Sequence, residues 1–279
     1  MSVSFGREVA NVLLRSLAVV TTIILVVMAL NLLYESEQTI SDGNCNVAFM
    51  PIEGTILPFN GLVDVPLVIT PEEVENFVRN AENEEGIDAI LVEINSPGGT
   101  PVASQRIAES LRGTSLPVVA LIGDIAASGG YMVATAADHI VASPMSDVGS
   151  IGVNMSYVEE SKKNEEEGLT YVQLTTGEFK DAGNPNRPLT EREREKFQDD
   201  LDIIHQEFVK MVADYRGLEI EKVEELADGS SMPGVRALEN NLVDSLGGIA
   251  NARGVVSALT GKTVEETVIC EYTANQLIF

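Results

Sequence analysis

The sequence predicts an α/β fold, in which helices cover the faces of a parallel β-sheet, preceded by one N-terminal transmembrane helix. Short apolar stretches typical of buried strands alternate with capped helices, which is the order found in parallel α/β domains. One uncharged run of 19 residues lies near the N-terminus. Hydrophobic residues make up 44% of the 279 residues, enough for a sizeable core in one large domain or two small ones.

The uncharged run extends from Ser16 to Tyr34 and is long enough to cross a bilayer. As a helix it would span roughly 28 Å, which is close to the thickness of the hydrocarbon core. The alternative is a cleaved signal peptide, whose apolar region would be only about 7–15 residues long and would be followed by small residues. Because this run is longer and ends in Leu32, Leu33 and Tyr34, we expect a retained anchor.

Charges on the two sides of this run predict its orientation. Arg7 and Arg15 precede it, whereas Glu35, Glu37 and Asp42 follow it. The positive-inside rule then places the N-terminus in the cytoplasm and the remainder outside, so we expect a single-pass protein of the cell membrane with an extracytoplasmic domain. The predicted organisation is a cytoplasmic N-terminus at 1–15, a transmembrane anchor at 16–34, a linker at 35–44 and a folded domain at 45–279.

The first half of the folded domain alternates strands and helices. Thr70, Pro71 and Glu73 form the signature of a capping box with proline at the first helical position, so a helix begins there and ends before Gly86. This order of strand, helix and strand implies parallel pairing. The predicted elements are strands at 46–52 and 61–68, a helix at 71–85, a strand at 87–94, a turn at 96–99, a helix at 101–112 and a strand at 116–122.

The second half contains a predicted strand, Thr170–Thr175, and a long charged helix at 190–215. Thr190 and Glu193 complete a second capping box at the start of this helix. Five apolar residues repeat along it at helical spacing, which predicts a face packed in the core or at an interface rather than a catalytic site. They are Leu201, Ile204, Phe208, Met211 and Val212.

The chain is strongly acidic. It carries 43 acidic and 18 basic side chains, for a formal net charge of −25. This balance argues against nucleic acid as a partner, because nothing in the chain could neutralise a run of phosphates. An acidic surface keeps a protein soluble, and adaptation to a salty medium is a second explanation that the composition leaves open.

The cysteines and histidines are few and scattered. Cys45, Cys270, His139 and His205 are too far apart along the chain to predict a metal site, and no cofactor is expected. Outside the cell a disulfide between the cysteines could persist, and it would tie the C-terminal segment to the first strand. Two unrelated thiols are an equally good interpretation of the sequence.

The segment that follows the predicted strand at 116–122 contains a candidate nucleophilic serine. Ser128 lies in the segment GDIAASGGY at 123–131, which leads into a run of small residues suited to a packed helix. The unpaired amides at a helix N-terminus stabilise negative charge, and the glycines allow a substrate backbone to approach closely. Ser128 is therefore a candidate nucleophile, with the amide of Gly129 available to an oxyanion, and the alternative is an ordinary N-cap serine.

A serine nucleophile needs a base. Neither His139 nor His205 is well placed by the sequence, and both are expected to be structural or to face solvent. The other possibility is a lysine that burial among apolar neighbours keeps neutral. Lys180 is the candidate because it stands beside Phe179 in a loop-like stretch, although Asp181 would favour the charged amine and a surface loop lysine is the alternative.

Four segments of the chain occur in the order of a known family: GDIAASGGYMVATAADHIVA, VGSIGV, GEFKDAGNPNRPLTERER and LVDSLGGIANA. Through them the chain resembles the signal peptide peptidase A family (peptidase family S49) in its short, single-domain form. The likeness covers nearly everything after residue 45. It implies a Clp/crotonase-like fold, a parallel-sheet superhelix of ββα units, while the length excludes the form with a duplicated domain.

The resemblance also implies roles for five residues. These are Ser128 as nucleophile, Lys180 as general base, Ser150 as the residue that holds the lysine amine, and Gly98 and Gly129 as amide donors of the oxyanion hole. The sequence departs from the common family pattern at two nearby positions. Glu178 replaces a small polar residue and would favour the charged form of the lysine, and Met132 replaces a frequent aromatic residue.

By this likeness, we expect a membrane-anchored serine endopeptidase that degrades hydrophobic peptides such as remnant signal peptides. Members of the family assemble into rings, so a homo-oligomer in which serine and lysine come from neighbouring subunits is expected. Three alternatives remain: a Ser–Lys protease specific for stomatin-like membrane proteins, a crotonase-type acyl-CoA enzyme, and a catalytically inactive ring-forming membrane scaffold. The presence of both Ser128 and Lys180 weighs against the scaffold.

Overall fold

The computed structural model describes residues 13–28, 40, 43–59 and 67–270. The chain divides into two units, and the larger one is Ser41–Tyr272. The other unit contains helix α1, residues 13–28. Among the described residues, no helix has both the length and the apolar character needed to span a membrane. Part of the predicted anchor, residues 29–34, lies outside the described residues, as do residues 1–12 and most of the predicted linker.

Strands and helices alternate through the larger unit. The strands are β1 (Val47–Ile56), β2 (Val68–Ile69), β3 (Ala89–Gly99), β4 (Val118–Ala127), β5 (His139–Ala142), β6 (Asp147–Gly149), β7 (Ser231–Pro233) and β8 (Ser245–Leu246). The helices are α2 (Pro71–Asn83), α3 (Pro101–Gly113), α4 (Gly129–Thr135), α5 (Ser161–Glu166), α6 (Glu191–Arg216), α7 (Ile220–Leu226), α8 (Gly234–Glu239) and α9 (Ile249–Thr260).

The strands form one sheet that branches at β4. Its main path has the order β2-β1-β3-β4-β5-β8, and the neighbours along it are parallel. The first half of β4 pairs with β5, whereas its last residues pair with β6, which runs antiparallel to β7. The predicted α/β class with a parallel sheet is confirmed. At its carboxyl end β4 pairs with β3 on one side, through Ser96 and Ala126, and with β6, so the residue that follows β4 lies next to the ends of these strands.

Both faces of the central strands are buried. One face packs against α9 through a cluster that contains Leu91, Val119 and Val256. Helix α3 contacts both α2 and α4, and all three helices contact the sheet. Alternate residues of β3, such as Ile90 and Val92, are also fully buried. This two-sided burial explains why the strands are almost continuously apolar, as in other parallel sheets covered by helices.

The two predicted capping boxes are confirmed. The Thr70 hydroxyl accepts from the amide of Glu73 (3.4 Å), and the Glu73 carboxylate accepts from the amide of Thr70 (2.7 Å). At the start of α6, the Thr190 hydroxyl accepts from the amide of Glu193 (3.3 Å), and the reciprocal bond measures 2.9 Å. The sequence signature thus located both helix starts correctly.

Two strand-level predictions differ from the structure. The predicted turn at 96–99 instead continues β3, where Gly98 and Gly99 pair with the end of β1. The predicted strand Thr170–Thr175 is wrong, because these residues are irregular and exposed, and Leu174 is 93% exposed. An apolar stretch becomes a strand only where a neighbouring strand accepts its backbone hydrogen bonds, and none of the described strands pairs with this one. Of the predicted strand at 61–68, residues 61–66 lie outside the described residues.

The cysteines are paired, which decides between the two interpretations of the sequence. Cys45 and Cys270 form a disulfide across a sequence separation of 225 residues. Next to it, Val47 and Ile269 form a parallel β-bridge, and the Cys270 amide donates to the carbonyl of Val47 (2.9 Å). The C-terminal segment is therefore fastened to the beginning of β1.

Candidate active site

Ser128 occupies a strained position between β4 and α4. Its backbone has φ 51° and ψ −122°, a conformation that residues with a side chain rarely adopt. Two hydrogen bonds hold it there: its amide donates to the Gly149 carbonyl (2.8 Å), and its carbonyl accepts from the Met132 amide (2.9 Å). Among the described residues, the Ser128 hydroxyl has no hydrogen-bond partner, so its oxygen is available for chemistry.

The ends of β3 and β4 meet in a contact that requires glycine. A Cβ on Gly98, which has φ +100°, would lie 2.6 Å from the Gly129 nitrogen. A Cβ on Gly129 would lie 2.1 Å from the Ser104 hydroxyl oxygen and 3.2 Å from the Gly99 nitrogen. No side chain fits at these distances, and the close approach brings backbone amides beside Ser128.

One of the two predicted oxyanion donors, the amide of Gly98, has a hydrogen-bond partner in the structure. The amide of Gly98 already donates to the Ser96 hydroxyl (3.1 Å), so the donor that the sequence analysis assigned is in use. Gly99 pairs with Ile56 in the parallel ladder, and the flanking Thr100 amide donates to Ile56 (2.9 Å). A residue at the centre of such a pair directs its own amide away from the partner strand. The Gly99 nitrogen also lies close to Gly129, 3.2 Å from where a Cβ on that residue would stand, so the amides of Gly99 and Gly129 are the candidate donors.

A cavity of about 610 Å³ opens above Ser128. The strand ends contribute Gly98 and Gly99 to its wall, and Ser150 lines it beside Ser128. The opposite wall is one face of α6, which contributes Gln198, Leu201, Asp202 and His205. The cavity has the size of a site that holds a small ligand or a few residues of a peptide.

Ser150 is placed to accept a hydrogen bond in this cavity. It also has a positive φ of 50°, and its amide donates to the carbonyl of Ser230 (2.9 Å). Its hydroxyl donates to the carbonyl of Gly229 (3.0 Å). Because the hydroxyl proton is used in that bond, the lone pairs of the oxygen remain free to accept from an amine.

Lys180 does not line the cavity that contains Ser128 of its own chain. It lies in an exposed turn that follows irregular residues, and neither Lys180 nor any other described lysine or arginine lines the cavity. Within the described part of the chain, its amine makes no ion pair. The fold therefore brings Ser128, Ser150 and Gly98 to one cavity, with Gly129 directly after Ser128, and the predicted base is not among the residues that line it.

Comparison with known proteins identifies the family. The model for peptidase family S49 matches residues 110–262, which is more than half of the chain and includes Ser128, Ser150 and Lys180. The chain belongs to peptidase family S49. The predicted resemblance to signal peptide peptidase A is thereby confirmed, and the match places this S49 chain among proteins whose names include protease 4 and SppA.

Three relatives show how far the similarity extends. A protein of Methanocaldococcus jannaschii, provisionally named a protease, is 33% identical over 73% of the S49 chain and 66% of its own length. A second provisionally named protease, from Synechocystis, is 39% identical over 64% of the chain and 65% of its own length. A third, from Enterococcus faecium and provisionally named signal peptide peptidase SppA, is 31% identical over 71% of the chain and 59% of its own length. The similarity thus spans less than two thirds of each relative.

The two histidines of the S49 chain have different surroundings. His139 begins β5, and its Nε2 lies 2.9 Å from the Ser245 hydroxyl, so it is structural as expected. His205 lines the Ser128 cavity, and its Nε2 is buried with no hydrogen-bond partner among the described residues. The sequence did not show that His205 meets this cavity, because only the fold decides which face of α6 lines it. Its helical spacing from Gln198 and Leu201 was a signal that the sequence contained.

The cavity wall of the S49 chain is acidic. Asp202 on α6 and Asp228 after α7 both line it. The Asp228 carboxylate accepts from the hydroxyl (2.6 Å) and the amide (2.8 Å) of Ser230, and these bonds lower the pKa of Asp228. Carboxylates on this wall favour a cationic or hydrogen-bond-donating group in the cavity.

Proposed function

We propose that this chain is a membrane-anchored serine endopeptidase in which Ser128 is the nucleophile and Lys180 of a neighbouring copy is the general base. The observation that carries the proposal is the strained Ser128, whose unpartnered hydroxyl lies in an open cavity beside the amides of Gly99 and Gly129. Strain of this kind is retained where it positions a reacting group.

The reaction follows from this arrangement. The neutral amine of Lys180 removes the proton of the Ser128 hydroxyl, and the oxygen attacks the carbonyl carbon of the peptide bond. The amides of Gly99 and Gly129 donate to the developing oxyanion. The Lys180 ammonium then gives its proton to the departing amine, and water hydrolyses the acyl-enzyme. The Ser150 oxygen accepts a hydrogen bond from the amine and keeps it directed at Ser128.

Assignment of the base to a neighbouring copy rests on two observations. Lys180 does not line the Ser128 cavity of its own chain. The segment that precedes it exposes large apolar side chains, among them Val158 (76%), Val172 (72%) and Leu174 (93%). Apolar side chains that are this exposed and close together in sequence are typical of a surface covered by another subunit. A ring of copies would bury this segment and carry Lys180 into the adjacent cavity.

Two further observations support an anchored, extracytoplasmic enzyme. All described residues of α1 are exposed, including Leu14 (66%) and Ile23 (57%), and the hydroxyls of Thr21 and Thr22 bond to carbonyls of their own helix. An apolar surface of this kind suits lipid rather than water. The Cys45–Cys270 disulfide suits an oxidising compartment outside the cytoplasm. Hydrophobic peptides left in the membrane are the proposed substrates, in keeping with the name of the Enterococcus faecium relative.

Hydrolysis of a fluorogenic hydrophobic peptide by the full chain in detergent tests the proposal. Ser128→Ala and Lys180→Ala are each expected to lower kcat/KM by at least about 100-fold, because one removes the nucleophile and the other removes the base. The matched control is Lys163→Ala, which removes an exposed lysine of α5 and is expected to leave the rate unchanged. A serine-directed covalent probe is expected to label the unchanged chain but not Ser128→Ala.

The outcomes separate the alternatives. Activity that survives in Lys180→Ala would contradict the base assignment. Absence of both hydrolysis and labelling in an assembled, unchanged chain would favour the inactive scaffold. Cleavage confined to a stomatin-like protein, with no cleavage of signal peptides, would favour the stomatin-specific protease.

A further inference from the structure

Lys180 lies between two acidic residues that would interfere with its proposed role. Glu178 and Asp181 flank it in the sequence, and a carboxylate beside an amine favours the charged ammonium form, which cannot accept a proton. In the structure each carboxylate is held by an arginine. Arg192 pairs with Glu178 (2.6 Å), and Arg187 Nε pairs with Asp181 Oδ2 (3.2 Å). The amine itself makes no ion pair with any described residue.

Arg187 connects the Lys180 turn to helix α6. Its Nη2 donates to the backbone carbonyl of Asp181 (2.9 Å) and to Glu193 Oε1 (2.5 Å), while its Nη1 donates to Glu193 Oε2 (2.9 Å). The side chains are largely shielded from water, with exposures of 20% for Arg187, 14% for Asp181 and 4% for Glu193. A planar guanidinium that bridges two carboxylates in this way fixes geometry as well as charge.

The two carboxylates that Arg187 bridges, those of Asp181 and Glu193, are stabilised in the charged form. Asp181 also accepts from Asn184 (2.9 Å) and from the Tyr171 hydroxyl (2.9 and 3.0 Å), and the bonds from Asn184, Tyr171 and Arg187 lower its pKa. The pKa of Glu193 is lowered to about 2, chiefly by its hydrogen bond from Arg187. The charged carboxylates on which the network depends are therefore favoured.

We propose that Arg187 is a positioning residue, which holds the Asp181 carboxylate away from the Lys180 amine and fixes the turn that presents this amine to the Ser128 cavity. The proposal rests on the proposed function, in which Lys180 is the general base. The bond from Arg187 to the Asp181 carbonyl fixes the backbone beside the lysine, and the bond to the Asp181 side chain occupies the carboxylate of the residue that follows Lys180.

Two sets of charged and titratable groups could act on the Lys180 amine. The charged and titratable groups that meet the turn are Glu178 and Asp181 on the turn itself, Tyr171 and Arg187 on either side of it, and Arg192 and Glu193 on α6. Those that would face the amine in the cavity are Asp202, His205 and Asp228. None of the variants described below changes these cavity groups. A shift of the pH profile caused by a substitution at Arg187 therefore comes from the turn that carries Lys180.

The pH dependence of kcat/KM for the full chain in detergent tests the proposal. Because the base must be neutral, activity rises with pH along one limb of the profile. Arg187→Gln frees Asp181 to stabilise the ammonium form, so the rising limb is expected to move up by about one pH unit. Arg187→Lys loses the planar fork but keeps a positive charge beside Asp181, so the limb is expected to stay within about 0.3 units of its original position. Adding Asp181→Asn to Arg187→Gln removes the freed charge and is expected to return the limb to that position.

The double variant Arg187→Gln with Glu193→Gln separates the effect of the freed Asp181 charge from a disturbance of the fold at the start of α6. Arg187→Gln leaves the buried Glu193 without its main partner, which by itself could disturb the start of α6. Adding Glu193→Gln removes that unpaired charge and keeps a residue that can complete the capping box. This variant still has a free Asp181, so its rising limb is expected to stay displaced, unlike that of the variant with Asp181→Asn.

Each outcome supports or overturns the proposal. A displaced limb that Asp181→Asn restores and Glu193→Gln does not restore supports it. Two results would overturn the role of Arg187 while Lys180 remains the base. One is a loss of activity in Arg187→Gln without a shift of the rising limb, and the other is a shifted limb that Asp181→Asn does not restore. Activity retained in Lys180→Ala overturns the proposed function, and the role of Arg187 with it, so the two failures are distinguishable.

Discussion

Two serines with positive φ line the cavity of the candidate site. Ser128 (φ 51°) and Ser150 (φ 50°) are two of the three described residues other than glycine with a positive φ. Both are held by backbone hydrogen bonds to residues distant in sequence, Gly149 for the first and Ser230 for the second. The cost of each strained conformation is on the order of 1–3 kcal/mol, which the surrounding sheet must offset. Local strain therefore marks the site at the scale of single residues.

His205 supplies a prediction at this scale. It lines the Ser128 cavity with an unpartnered Nε2, yet the proposed mechanism assigns the proton transfer to Lys180. His205→Ala is therefore expected to raise KM for a peptide substrate several-fold while kcat changes by less than about 10-fold, well short of what loss of a general base costs. Steady-state kinetics of the full chain beside Lys180→Ala would check this. A fall in kcat as large as that of Lys180→Ala would instead identify His205 as the base.

At the scale of elements, α6 has two separate tasks. Its carboxyl-terminal half buries Phe208, Val209 and Val212, so the predicted apolar face is confirmed for Phe208 and Val212, whereas Leu201 of that face lines the Ser128 cavity. Its amino-terminal half leaves Ile203 59% exposed and forms a wall of the Ser128 cavity. The first turn of the same helix also receives Arg187 through Glu193. One helix thus links the core, the cavity and the turn that carries the proposed base.

Helix capping gives a prediction at the scale of elements. The Thr70 hydroxyl caps α2, whereas Thr100, at the equivalent position of α3, makes no side-chain cap hydrogen bond. Thr70→Ala is expected to lower the free energy of unfolding by about 1 kcal/mol, and Thr100→Ala is expected to change it by less than about 0.5 kcal/mol. Urea unfolding of the full chain in detergent would compare them. Equal effects of the two substitutions would refute the assigned difference in capping.

At the scale of the whole molecule, the proposed Ser–Lys site is not complete within one chain. Ser128, Ser150, Gly98 and Gly99 line one cavity, and Lys180 is not among its lining residues. In a closed ring each interface is repeated, so every cavity would receive the same segment of its neighbour. Assembly would then be a condition of activity rather than only a source of stability.

Complementation tests this arrangement. Ser128→Ala and Lys180→Ala chains that are co-expressed in equal amounts are expected to recover about one quarter of the wild-type sites, because a site works when an intact serine meets an intact lysine from the next copy. Hydrolysis of the fluorogenic peptide by the purified mixed assembly is the measurement, beside each variant alone. Mixed assemblies with no recovered activity would mean that serine and lysine come from the same chain.

The disulfide also acts at the scale of the whole molecule. Cys45 and Cys270 lie at the two ends of the described domain, and the bond closes nearly all of it into one loop. Cross-links typically stabilise a fold by about 2–4 kcal/mol, mainly by restricting the unfolded chain. The sequence left this pairing open, because pairing depends on how closely β1 and the C-terminal segment approach in space.

The sequence by itself determined the features that depend on neighbouring residues. It located the α/β class, both capping boxes and the Ser128 turn, because apolar runs, caps and glycines act over a few positions along the chain. Only the tertiary structure decided the features that depend on distant residues. It brought His205 to the cavity, used the Gly98 amide in a bond to Ser96, left Thr170–Thr175 without a strand partner and joined Arg187 to Glu193 and Asp181. Hydrogen bonds and ion pairs between separate elements form only when folding brings those elements together, and no local pattern encodes which of them will meet.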